Sequence, residues 1–78
     1  MSSGTAGTDV TLTPADRRIL RYLETSSADY PALIASNTGL HVPLVERRCR
    51  VLETAGLLEP VSSEVIYRLT DRGRSVVR

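Results

Sequence analysis

The stretch from Thr38 to Leu58, TGLHVPLVERRCRVLETAGLL, constrains this chain more than any other part of it. Gly39 suits a left-handed turn, and Gly56 suits a helix stop with Leu57 packing back on the helix. Between them lies one helix of roughly four turns. It begins at His41 or Val42, with Pro43 near the first position, where a missing N–H costs nothing. Helical spacing puts Val45, Cys49 and Leu52 on one face at i, i+4 and i+7. Pro43, Glu46, Arg47, Arg50 and Thr54 fall on the opposite side, and Arg48 falls beside the buried stripe. Such a helix needs other elements to cover its apolar face while its charged face stays in water.

Little chain is available for that cover. With 78 residues there is room for one small domain, which buries only about 60–65% of the surface its unfolded chain exposes. Phe and Trp are absent. The core must therefore be Leu, Val and Ile, with Cys49 as a small apolar filler.

The remaining segments read as such a scaffold. Residues 1–10 are small and polar and are expected to form a disordered tail, leaving 11–78 as the domain. Thr13-Pro14-Ala15-Asp16 is a helix start: Thr13 as N-cap, Pro14 at the first position, Asp16 at the positive end of the dipole. This first helix runs to about Glu24 or Thr25 and buries Ile19, Leu20 and Leu23. Arg17, Arg18 and Arg21 lie off that stripe on a solvated face. Ser26 to Asp29 reads as a short polar link. A second helix follows from Pro31 to about Asn37, with Leu33 and Ile34 expected to bury and Ala35 leaving room for the next helix. Leu58–Val61 and Val65–Leu69 are β-prone runs around Ser62-Ser63-Glu64, with Pro60 confining the first to an edge. Val65, Tyr67 and Leu69 alternate on one face. Thr70-Asp71 caps a last short helix through Val77, which Gly73 weakens. The fold class is mainly α with a small β-hairpin (α+β), in the order α-α-α-β-β-α.

Several functions are excluded or disfavoured. His41 and Cys49, eight residues apart on one helix, stand roughly 12 Å apart along its axis and cannot share a metal or form a nucleophile pair. Cys49 reads as a buried core thiol and His41 as a helix-start residue. There is no glycine-rich phosphate loop and no carboxylate pair for acid–base work, so no enzyme, cofactor, metal or small-molecule ligand is expected. A lone Cys points to a reducing compartment. The start of the chain has no basic and apolar leader, and no run approaches the 18 apolar residues of a membrane span. A soluble cytoplasmic protein is expected.

Ten Arg, no Lys and nine acids give a net charge of +1. That balance neither demands nor excludes a nucleic acid, so the placement of the arginines decides. An Arg-only set fits recognition of phosphates and base edges by the planar guanidinium. It fits equally a coding bias towards GC.

The element order and its residues resemble winged-helix DNA-binding transcription regulators. The resemblance is to the small haloarchaeal phage-repressor-like group, within the wider MarR-like and ArsR-like set. The residues that carry it are Arg18-Ile19-Leu20 with Leu23, Ile34-Ala35 with Gly39, and Val45 with Arg47-Arg48 and Leu52. Gly56-Leu57-Leu58-Glu59-Pro60-Val61 and Tyr67-Arg68-Leu69-Thr70-Asp71-Arg72-Gly73 continue it, over roughly residues 12–78. The spacing of Ala35, Gly39 and Val45 matches a helix-turn-helix.

The resemblance implies a winged helix-turn-helix whose third helix, about residues 42–55, lies in the major groove of double-stranded DNA. Arg47 and Arg50 then reach guanine edges or phosphates, and Glu46 accepts from a cytosine amino group. Pro43 and Leu44 offer apolar contact, for instance to thymine methyls, and Arg68 on the wing touches phosphate. A repressor acting as a homodimer is implied, with Leu12, Val76 and Val77 as interface candidates. The alternative is a winged helix used for protein–protein interaction. The apolar start of the third helix and the carboxylate at the wing tip favour that alternative, and the helix-face arginines favour DNA.

Overall fold

Residues 11–61 and 65–77 are described in the computed structural model; the expected tail at 1–10 and the wing tip Ser62-Ser63-Glu64 lie outside them. The elements are α1 (Pro14–Ser26), β1 (Ala28–Asp29), α2 (Pro31–Thr38), α3 (Val42–Thr54), β2 (Leu58–Pro60), β3 (Tyr67–Leu69) and α4 (Asp71–Val77).

Helix α1 starts with a reciprocal cap. Thr13 Oγ1 accepts from the Asp16 N–H at 3.0 Å, and Asp16 Oδ2 accepts from the Thr13 N–H at 2.9 Å. The two bonds satisfy donors that a helix start otherwise leaves free. Ile19, Leu20 and Leu23 are buried, as their spacing predicts. The helix ends at Ser27, whose φ of 73° is the one positive value at a non-glycine residue among those described.

That sharp bend turns the expected polar link into a strand. Ala28 and Asp29 pair antiparallel with Arg68 and Tyr67. A two-residue strand shows no alternation in a sequence, so only its partner reveals it. Strand β2 pairs on the other side of β3, with Leu58 opposite Leu69 and Pro60 opposite Tyr67, giving the order β1-β3-β2. Pro60 lies on an edge strand, where a missing N–H is tolerated. A clasp closes over β1: Tyr22 Oη donates to Asp29 Oδ2, and Asn37 Nδ2 donates to Tyr22 Oη at 3.3 Å. It ties α1, β1 and α2 together, and the bond to Asp29 raises the Tyr22 pKa above its ordinary value.

Helix α2 buries Pro31, Ile34 and Ala35. Leu33, expected inside, is instead 48% exposed. It sits one residue before Ile34, about 100° away around the helix, and the three buried positions already fill the side facing α1 and α3. The α2–α3 turn is made by Gly39 at φ 76°.

Helix α3 packs against α1, α2 and β2. Its end has the expected geometry: Gly56 at φ 82°, the Leu57 N–H donating to Leu52 O at 2.9 Å, and the Gly56 N–H donating to Glu53 O at 2.9 Å. These two bonds form a Schellman motif, which satisfies carbonyls at the helix end. Leu57 and Leu58 are then buried directly beneath it.

Helix α4 lies across α1 and β3. One hydroxyl serves its junction with α3. Thr70 Oγ1 donates to Gly56 O at 2.6 Å and accepts from the Gly73 N–H at 3.0 Å. The Thr70 N–H donates to Leu57 O at 3.1 Å, closing the base of the hairpin. Gly73 is buried against this junction, where a Cβ would lie 2.1 Å from Leu57 O. The glycine that weakens α4 by propensity is thus required by its packing.

Candidate nucleic-acid interface

The site is the face of α3 that the core leaves uncovered. Val45, Cys49 and Leu52 point inward with no accessible surface. Pro43, Glu46, Arg47, Arg50 and Thr54 are exposed, and Leu44 is half-buried at the margin. The helical spacing therefore brings the expected site residues of α3 to one surface. Among the described residues, Glu46, Arg47 and Arg50 take part in no ion pair. Both guanidiniums keep their hydrogen-bonding edges for an outside partner.

Arg48 does the opposite. Its Nε and Nη2 donate to Asp16 Oδ1 and Oδ2 at 2.7 and 2.8 Å. Asp16 is completely buried, while the Arg48 side chain keeps 20% of its surface. Burial alone would raise the Asp16 pKa. The Arg48 hydrogen bonds and charge, with the cap bonds at Thr13, outweigh it and hold the carboxyl below its ordinary 3.8. The pair fixes the middle of α3 to the start of α1. A sequence separation of 32 residues left nothing local to mark Asp16 as its partner. Arg48, beside the buried stripe, is therefore structural.

Arg68 stands apart from the α3 cluster. It lies on the central strand, and its Nε donates to Glu59 Oε2 at 2.7 Å across the ladder. The pair is exposed, so it is weak and can open for a phosphate at little cost. Between α3 and the hairpin lies a shallow depression of about 100 Å³, lined by Pro31, Glu46, Arg50, Val65 and Tyr67. Tyr67 was expected on one face of the hairpin with Val65 and Leu69. It is half-buried there, and burial first, then the nearby Glu53 carboxylate, raises its pKa.

Cys49 lies behind this face. Burial, reinforced by the charges of Asp16 and Glu53, pushes its thiol up to about 12. The thiolate is the reactive form. A maleimide or iodoacetamide added to the native chain at about pH 8 is expected to leave Cys49 unlabelled, with labelling appearing in denaturant. Rapid labelling of the native state would contradict the assignment to the core. Among the described residues no group of three or more His, Cys, Asp or Glu side chains is placed to hold a metal ion. Nor, among the described residues, is any helix long and apolar enough to cross a membrane.

Leu12, Val76 and Val77 meet beside Arg17, Leu20 and Arg21 around a second, smaller depression. The three interface candidates therefore share one surface, formed by the segment before α1 and the end of α4.

This arrangement, a helix-turn-helix backed by a three-stranded sheet and closed by a fourth helix, agrees with a sequence match over residues 10–78 to the family model of the winged helix-turn-helix phage repressor. The chain belongs to that family. This winged-helix chain is also similar to solved transcription regulators. One is a MarR-family transcriptional regulator from Silicibacter pomeroyi DSS-3, with a TM-score of 0.78 and 26% identity over 85% of this chain and 48% of that one. A second is the transcriptional repressor CouR bound to p-coumaroyl-CoA, with a TM-score of 0.76 and 31% identity over 91% of this chain and 51% of that one. CouR bound to a 23-mer DNA duplex matches with a TM-score of 0.71 and 29% identity, over 86% and 51%. The winged-helix chain spans about half the length of each of these proteins. No curated protein matches it in sequence. The family and these neighbours are transcription regulators rather than enzymes.

Proposed function

We propose that this chain binds double-stranded DNA sequence-specifically as a transcriptional repressor, with α3 in the major groove. The observation that carries the reading is the exposed face of α3, where Arg47 and Arg50 are unpaired among the described residues while Arg48 alone is committed to the interior. Family membership and the DNA complex of a similar repressor support it. Arg47 and Arg50 contact guanine edges or phosphates, Glu46 accepts from a cytosine amino group, and Pro43 and Leu44 line the apolar entry. Arg68 adds a phosphate contact once it leaves Glu59. The protein acts in the cytoplasm as a homodimer joined through Leu12, Val76 and Val77, so that two α3 helices meet two half-sites.

The test is a titration against mixed duplex DNA across a salt series. Affinity is expected to fall steeply as salt rises, because bound arginines release counterions. The double variant Arg47→Ala with Arg50→Ala is expected to flatten the log–log slope by about 2 if both touch phosphate. Absent or salt-independent binding would sink the proposal and leave the protein-docking role in its place.

A further inference from the structure

The first turn of α3 is apolar where it meets solvent. Val42 keeps 39% of its surface and Pro43 is exposed. His41, the N-cap, makes no side-chain hydrogen bond to the helix start, and Pro43 has no N–H to offer. This end of the helix therefore presents fewer donors to a phosphate than helix starts commonly do. Val42, Glu46, Arg50 and Pro43 follow one another around the exposed stripe at about 100° per residue. Val65, 65% exposed, lines the same depression as Glu46 and Arg50. The apolar atoms thus share one face with the cations Arg47 and Arg50 and the carboxylate of Glu46, none of which has an ion-pair partner among the described residues. Such a surface fits a polyanion that carries methyl groups. On the base edges of a DNA major groove, the ordinary methyl group is the C5 methyl of thymine.

Resting on the DNA-binding reading above, we infer that Val42, with Pro43 beside it, selects thymine through its C5 methyl. The contact distinguishes positions that the arginines do not read. It involves no donor or acceptor, so it is insensitive to salt and adds to the charge-driven part of binding.

The experiment starts from the duplex that the full chain selects out of a random pool. Each thymine is replaced in turn by deoxyuridine, which keeps the pairing edge and lacks only the methyl. One or two positions are expected to bind about fourfold more weakly per methyl removed, the loss that follows from burying one such group. The remaining positions are expected to be unaffected. In Val42→Ala the same replacements are expected to cost less than about twofold, while Val42→Ile keeps the full discrimination. Thermal melting establishes that both variants are folded, as expected for an exposed position. Uracil tolerated at every position overturns the inference. So does an equal loss in the native chain and Val42→Ala, since that effect belongs to the duplex. Either result leaves salt-dependent DNA binding standing, whereas failure to bind any duplex removes both readings at once.

Discussion

Arg48→Met is expected to destabilise the domain by about 3–5 kcal/mol, because it strands a fully buried carboxylate without its partner. For a domain of this size that corresponds to a fall in Tm of tens of degrees, at about 4–8 °C per kcal/mol. The two halves of the pair are not equivalent. Asp16 has no accessible surface, while the Arg48 side chain retains 20% of its own. Asp16→Asn leaves a cation that can turn to water, and it keeps an acceptor for the Thr13 N–H. It is therefore expected to cost less than Arg48→Met. The reverse order in urea denaturation at neutral pH would show that the pair is not held as described.

The dependence on pH follows from the same geometry. In the native chain the Asp16 pKa is depressed below 3.8. Its contribution is fully present above the unfolded value and is lost as pH falls through the lower folded value. Acid is thus expected to weaken the native domain below about pH 4, in part through this carboxyl. Arg48→Met removes the main effect opposing burial, so the Asp16 pKa should rise instead. The variant's deficit relative to the native chain is then expected to shrink as the pH is lowered. A deficit constant between neutral and acid pH would contradict the assignment.

Gly73→Ala is expected to cost about 3 kcal/mol or more, from overpacking of a tight junction. The sign is what makes it informative. By helix propensity alone, replacing an interior glycine with alanine gains up to about 1 kcal/mol. Here the new Cβ would stand 2.1 Å from Leu57 O and 3.1 Å from Leu69 Cδ2. The backbone carbonyl is held by the Thr70 N–H and cannot swing aside without opening the base of the hairpin. The nearby exposed Ser75→Ala, a surface change, is expected to stay within about 0.5 kcal/mol. A stable Gly73→Ala in thermal melting would mean that α4 does not sit against Leu57.

These two cases mark where a sequence stops being informative. The cap at Thr13, the turn at Gly39 and the Schellman stop at Gly56 were legible because each is decided within a few residues. The exposed face of α3 was legible for the same reason, since periodicity sorts Val45, Cys49 and Leu52 from Glu46, Arg47 and Arg50. Strand β1 was not, because Ala28 and Asp29 become a strand only when β3 lies alongside. Leu33 was misplaced because α2 had more apolar residues than its inward side could hold. Gly73 read as a weakness because Leu57, whose carbonyl excludes a side chain there, lies far before it in the chain. The partner of Arg48, and the engagement of Arg68 with Glu59, depend on how distant elements meet.

The hairpin is fastened at its root twice, by the Thr70 N–H on Leu57 O and the Thr70 hydroxyl on Gly56 O. The path from Leu57 to Thr70 is in effect a closed loop, with both ends anchored to the last turn of α3. Lengthening such a loop costs only about 0.6 kcal/mol for each doubling. The wing can therefore drift in length and charge over generations while the angle of α3 stays put. Within this architecture, the hairpin can change without altering the exposed face of α3.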